Sequence, residues 1–170
     1  MLVSPSLLAV NNEDANEIEL ADLPSATAAG SIALTGCTGP TGLAIDPITH
    51  LVLSACANGK AVLVDLKLRR KVALLDIGQG PDTVLWDAPH RRFLVPCGAS
   101  GTLSIIRLQG KRPIVEPPIQ TEASARTAAL DPRTGRVYLP AARFGTHAPG
   151  KKRGEIVPGS FHVVVMAPRN

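Results

Sequence analysis

The apolar positions of this chain come in short runs closed by turns, and the unit returns. Gly39–Pro47 reads GPTGLAIDP, Gly80–Pro89 reads GPDTVLWDAP and Ser124–Pro132 reads SARTAALDP. Each copy is a turn, an apolar run of strand length, then Asp and a Pro-marked turn. The closing aspartates Asp46, Asp87 and Asp131 stand 41 and 44 residues apart. A period of about 40–50 residues filled with short strands predicts propeller blades.

The pattern places blades at about 1–36, 37–79, 80–122 and 123–170. The second is the fullest copy, with strands a to d at Gly42–Asp46, Leu51–Cys56, Ala61–Leu66 and Lys71–Ile77. Strands a and b are apolar at nearly every position, as strands covered on both faces are. Frequent Val, Ile and Gly in short, punctuated runs argue against helix. In the third copy Pro113, Pro117 and Pro118 remove backbone donors from strand d, which marks it as the outermost strand. Pattern reading finds three strands in the first copy, starting at Leu7, and three in the last. The expected fold is therefore all-β: a beta-propeller of about four blades of four-stranded antiparallel sheet, with the first and last blades incomplete. An open row of blades exposes a blade face, so the single propeller over 1–170 needs a tight ring, an oligomer or a second chain.

Composition narrows this little. Hydrophobic residues make up 45% and charged residues 19%, which fits a packed globular chain. Aromatics at 3% are scarce for a base-stacking surface, so nucleic acid is not an expected partner. No apolar run is long enough to span a membrane as a helix, and the N-terminal residues lack a signal-peptide pattern. Cys37, Cys56 and Cys97 cannot all pair and match no CxxC spacing; they are expected as small buried residues rather than an oxidised scaffold.

The quoted units, together with Leu8–Asn12, Glu17–Leu23, VLVDL at 62–66 and VPGSFHVVVMAP at 157–168, resemble the YVTN-type beta-propeller repeat family, relatives of the quinoprotein amine dehydrogenase superfamily. The resemblance implies a propeller. Such proteins commonly carry about seven blades behind a secretion signal, and often have no established enzymatic activity. No catalytic motif of the family carries over to residues of this chain.

Blade topology sorts the loops. Turns a–b and c–d open on one face, here the lower, and turns b–c and d–a on the upper. The lower face collects ten of the 18 Lys and Arg residues. Among them Arg69, Arg70, Arg91, Arg92, Lys111 and Arg112 form a candidate anion patch. Asp46, Asp87 and Asp131 are expected as turn caps rather than metal ligands, because they sit on separate blades. The Gly78–Gly80 GxG lies between two strands and is no dinucleotide fingerprint. A long insertion at 143–160 stands where the other copies have short b–c turns. It offers Arg143, His147, Lys151, Lys152 and Arg153 as candidate binding residues, since long loops on rigid scaffolds often bind.

No catalytic residue, metal site or cofactor is expected. The function read from the sequence is a non-catalytic binding or scaffold propeller presenting loops on one face. A metal- or quinone-dependent propeller enzyme, oxidoreductase or hydrolase, is the alternative. A fragment needing a second chain to close the ring is the third reading.

Overall fold

The computed structural model describes residues 1–146 and 154–168. Fifteen strands appear in chain order, with no helix among the described residues. The first sheet holds β1 (Leu2–Ser4), β2 (Leu7–Asn12), β3 (Glu17–Asp22) and β4 (Thr27–Ala33). The second holds β5 (Pro40–Asp46), β6 (Leu51–Cys56), β7 (Lys60–Asp65) and β8 (Arg70–Asp76). The third holds β9 (Leu85–Asp87), β10 (Arg92–Cys97), β11 (Thr102–Gln109) and β12 (Arg112–Gln120). The fourth holds β13 (Ala129–Leu130), β14 (Val137–Ala141) and β15 (His162–Met166). Each sheet is an antiparallel meander in chain order. Strand a of the second sheet, β5, lies against β2 and β9, and β9 lies against β13. Sheets set side by side in this way are propeller blades.

Burial follows the strand positions. β6 is buried along its whole length and β7 at all but its first residue, whereas the outer strands β8 and β12 are largely exposed. Alternation explains the two-sided burial. Leu51, Leu53, Ala55, Ala61 and Leu63 face the third blade and meet Phe93, Val95 and Ile106. Val52, Cys56, Val62 and Val64 face the first blade and meet Ala9, Ile18, Leu20 and Ile32. A smaller cluster, Leu94, Leu103 and Ile105 with Val137, Leu139 and Ala141, joins the third and fourth blades.

Close approach near the inner strands fixes one residue type. A Cβ added at Gly42 on β5 would sit 2.6 Å from the Thr83 carbonyl carbon and the Val84 nitrogen of the next blade. Backbone cannot swing aside as a flexible side chain can.

Two sequence expectations change. The first blade has its strand a: β1 pairs with β2, Leu2 opposite Leu8 and Ser4 opposite Leu7. It escaped the pattern because it is three residues long and ends at Ser4–Pro5 instead of an aspartate turn. The cysteines also differ. Cys37 and Cys56 form a disulfide across a separation of 19 residues, and Cys97 is a free, buried thiol. The blade repeat explains both states. Gly78 stands 19 residues before Cys97, where Cys37 stands before Cys56. A Cβ at Gly78 would be 2.7 Å from the Cys97 Cβ, so the third blade brings the same two positions together and lacks the second sulfur.

Gly42→Ala is expected to destabilise the fold by about 2 kcal/mol through overpacking against backbone, read as a lower denaturation midpoint. Reduction of the disulfide, or Cys37→Ser, is expected to cost about 3 kcal/mol. Thermal melts with and without reductant check this: the wild type shifts downward and the Cys37→Ser variant does not shift further.

Candidate functional site

The lower face is built from repeated aspartate turns. Asp46 Oδ1 accepts from the Ile48 amide at 3.0 Å and its Oδ2 from the Thr49 hydroxyl at 2.6 Å. Asp131 repeats this with the Arg133 amide at 3.0 Å and the Thr134 hydroxyl at 2.7 Å. These bonds hold the Asp131 carboxyl below the ordinary carboxylate range, the Thr134 hydroxyl contributing most. Asp87 takes the Arg92 Nε at 2.8 Å and the His90 Nδ1 at 2.9 Å. Four residues after each aspartate the chain takes a left-handed residue, His50 at φ 59°, Arg91 at φ 51° and Gly135 at φ 68°.

The predicted anion patch is distributed over this framework. Arg91 reaches back to the buried Asp46 of the preceding blade at 3.0 Å. Lys111 reaches back to the buried Asp65 at 2.6 Å. Arg69 Nη1 donates to the Ala29 carbonyl of the first blade at 3.0 Å. Arg92 serves Asp87 within its own blade. Arg70 and Arg112 lie exposed at the first positions of β8 and β12. Four of the six cations are thus already bonded to carboxylates or carbonyls.

Asp65 is a link that sequence reading did not single out. It accepts from the Lys67 and Leu68 amides at 3.0 and 3.1 Å as well as from Lys111. The Lys111 ammonium is the main cause that keeps its carboxyl below the usual range, against the opposing effect of burial. The signal was present in Asp22 and Asp65, which end strand c in the first two blades, each followed by a turn.

The upper face carries a concavity that gathers loops from three blades. It has a volume of about 380 Å³. Ala57, Gly80, Pro81 and Ala99 supply small apolar walls, and Arg126 and Phe144 bound it from the fourth blade. Arg126 Nε pairs with Asp82 Oδ2 across the blade boundary at 3.2 Å. Phe144 comes from the insertion, whose foot is a small hairpin: Phe144 bridges Ile156, the Gly145 amide donates to the Glu155 carbonyl at 2.8 Å, and the Val157 amide to the Arg143 carbonyl at 2.9 Å. The buried Ser160 hydroxyl pins that foot, donating to the Val157 carbonyl at 2.6 Å and accepting from the Arg143 amide at 3.1 Å. Of the predicted binding residues, Arg143 lies exposed at this foot, while His147, Lys151, Lys152 and Arg153 lie outside the described residues. Sequence reading pointed to the insertion but not to Arg126, Asp82 or the small residues opposite.

No group of three or more His, Cys, Asp or Glu among the described residues is placed to hold a metal ion. The Cys56 sulfur is closed in the disulfide. Burial pushes the Cys97 thiol up from its ordinary value, and its Sγ donates to the Val95 carbonyl at 3.3 Å, so it stays protonated at neutral pH. His162 is raised by bonding to the Ser160 carbonyl first and to the Glu122 carboxylate second, the latter at 2.9 Å.

No family model matches the chain, and no curated protein does. Solved structures do. The chain is similar to Kuenenia stuttgartiensis hydrazine synthase at a TM-score of 0.74 and 15% identity, over 98% of this chain and 48% of that one. It is similar to a chain of the mitotic checkpoint complex at a TM-score of 0.65 and 15% identity, over 79% of this chain and 42% of that one. Both are beta-propeller proteins, and the likeness shows the fold. The chain spans about half the length of each.

Lys111→Met removes the cation from a buried carboxylate and is expected to cost about 2 kcal/mol at pH 7. Because Asp65 is depressed in the folded state, the wild-type advantage is full above about pH 4 and fades as pH falls through the lowered value. Chemical denaturation at neutral and acid pH checks this: the gap between wild type and variant narrows in acid.

Proposed function

We propose that the chain is a YVTN-type propeller segment that acts as a non-catalytic binding scaffold, taking its ligand in the upper-face groove, with a second polypeptide covering its open end faces. One observation carries the reading. The buried carboxylates Asp46, Asp65 and Asp87 are each engaged by a turn or a cation, whereas the groove gathers small apolar walls, an aromatic and one ion pair from three blades and the insertion. Apolar concavities with few polar groups are where proteins hold ligands. The Arg126–Asp82 pair gives the groove a charged rim that orients a polar end of whatever binds. A ring in which this chain is about half agrees with its 48% and 42% coverage of the two propeller neighbours.

Native mass spectrometry after incubation with extract of the source cells tests the groove. A bound species is expected on the wild type, and at least about tenfold weaker retention, a loss near 1.4 kcal/mol, on Ala99→Trp, which fills the groove, and on Arg126→Ala. Retention unchanged by both variants, or metal- or quinone-dependent turnover by the purified chain, would overturn the reading.

A further inference from the structure

Charge is divided sharply along this chain. Residues 1–36 hold five acidic residues and no Lys, Arg or His; the described residues from 123 on hold four Arg against two acids. The two ends of the row of blades are therefore opposite in sign.

Their outward faces differ in shape as well. Ile18 and Leu20 of β3 are turned into the packing against the second blade. Alternation then puts Glu17, Glu19 and Ala21 on the opposite, outward face with Val10 of β2. These four line a hollow of about 470 Å³. On the fourth blade, Val137, Leu139, Val164 and Met166 pack toward the third. The outward face is left with Tyr138 opposite Val165 and Pro140 opposite Val163. Val163 and Val165 are 48% and 53% exposed, and the neighbouring Phe161 67%. Exposed Arg136 and Arg143 stand just before and just beyond β14. One end is an acidic hollow and the other an apolar face with basic flanks.

We propose that a second copy of this chain covers both ends, each fourth-blade face seating on the other copy's first-blade hollow, so that two chains close one ring of eight blades. This rests on the reading above that a second polypeptide covers the end faces, and identifies it. Charge complementarity selects the occupant, because both halves of the match lie on one chain. A two-fold arrangement then makes two equal junctions and leaves no end face over. The junction is also distinct from the internal ones. Arg69, Lys71, Arg91, Lys111 and Arg126 each bond backward, from the later blade to an acceptor of the earlier one. Between copies the acid lies on the first blade and the cation on the fourth, so ends prefer ends over internal edges.

Sedimentation of the full chain at micromolar concentration tests this. In low salt the expected mass is twice the 17.8 kDa of one chain, and dissociation is expected to rise as salt is raised to about 0.5 M. Val163→Asp with Val165→Asp, and separately Glu17→Lys with Glu19→Lys, are expected to weaken association at least about tenfold while thermal melts show folded chains. Arg136→Glu with Arg143→Glu does the same alone. Mixed one to one with the Glu17→Lys, Glu19→Lys chain, it is expected to restore a heterodimer, since one junction is then native and the other reversed on both sides. A monomer in low salt, open assemblies larger than a dimer, dimers indifferent to both sets of variants, or a mixture that stays monomeric would each overturn the proposal. The groove assay reads a different surface, so either result can fail without the other.

Discussion

Blade packs on blade through strands that have no exposed face, and the rest of the molecule follows from that constraint. β6 and β7 send alternate side chains to opposite neighbours, so Leu53 and Leu63 belong to one core cluster while Val52 and Val62 belong to another. A single strand pair therefore ties three blades together. Apolar burial of this kind is the main favourable term in folding, and it is lost from both sides at once if a blade leaves the row. Gly42 marks how closely the inner strands come, and the disulfide anchors the entry to the second blade where that packing begins.

The buried carboxylates are arranged around this core, at strand ends, rather than within it. An aspartate at the end of a buried strand has to find donors, and the following turn supplies them through its own amides and a hydroxyl. The second blade's Asp46 and Asp65 gain in addition a cation each from the third. The same residues thus end strands, close turns and couple neighbouring blades. The upper face carries the groove, and the insertion foot with Phe144 rises from it.

Legibility followed periodicity. The Asp–Pro turns and the two-sided apolar runs of the second and third copies announced the architecture, because two-sided burial removes polar residues from consecutive positions. The strand Leu2–Ser4 was hidden since a three-residue run ending in Ser–Pro carries no such signature. The Cys37–Cys56 bond was hidden because it follows from comparing one blade with the next, Cys37 with Gly78, and not from cysteine spacing alone. For the site, the insertion was visible as a length anomaly. The groove opposite it was not, because Ala57, Gly80 and Ala99 are ordinary turn residues until three blades bring them together.

Amide hydrogen exchange measures the central constraint most directly, since protection tracks how far each strand is held by packing on both sides. Slowest exchange is expected in β6, β7, β10 and β11, and much faster exchange in the outer strands β8 and β12 of the same sheets. Equal protection across each sheet, or fast exchange in β6 and β7, would contradict it.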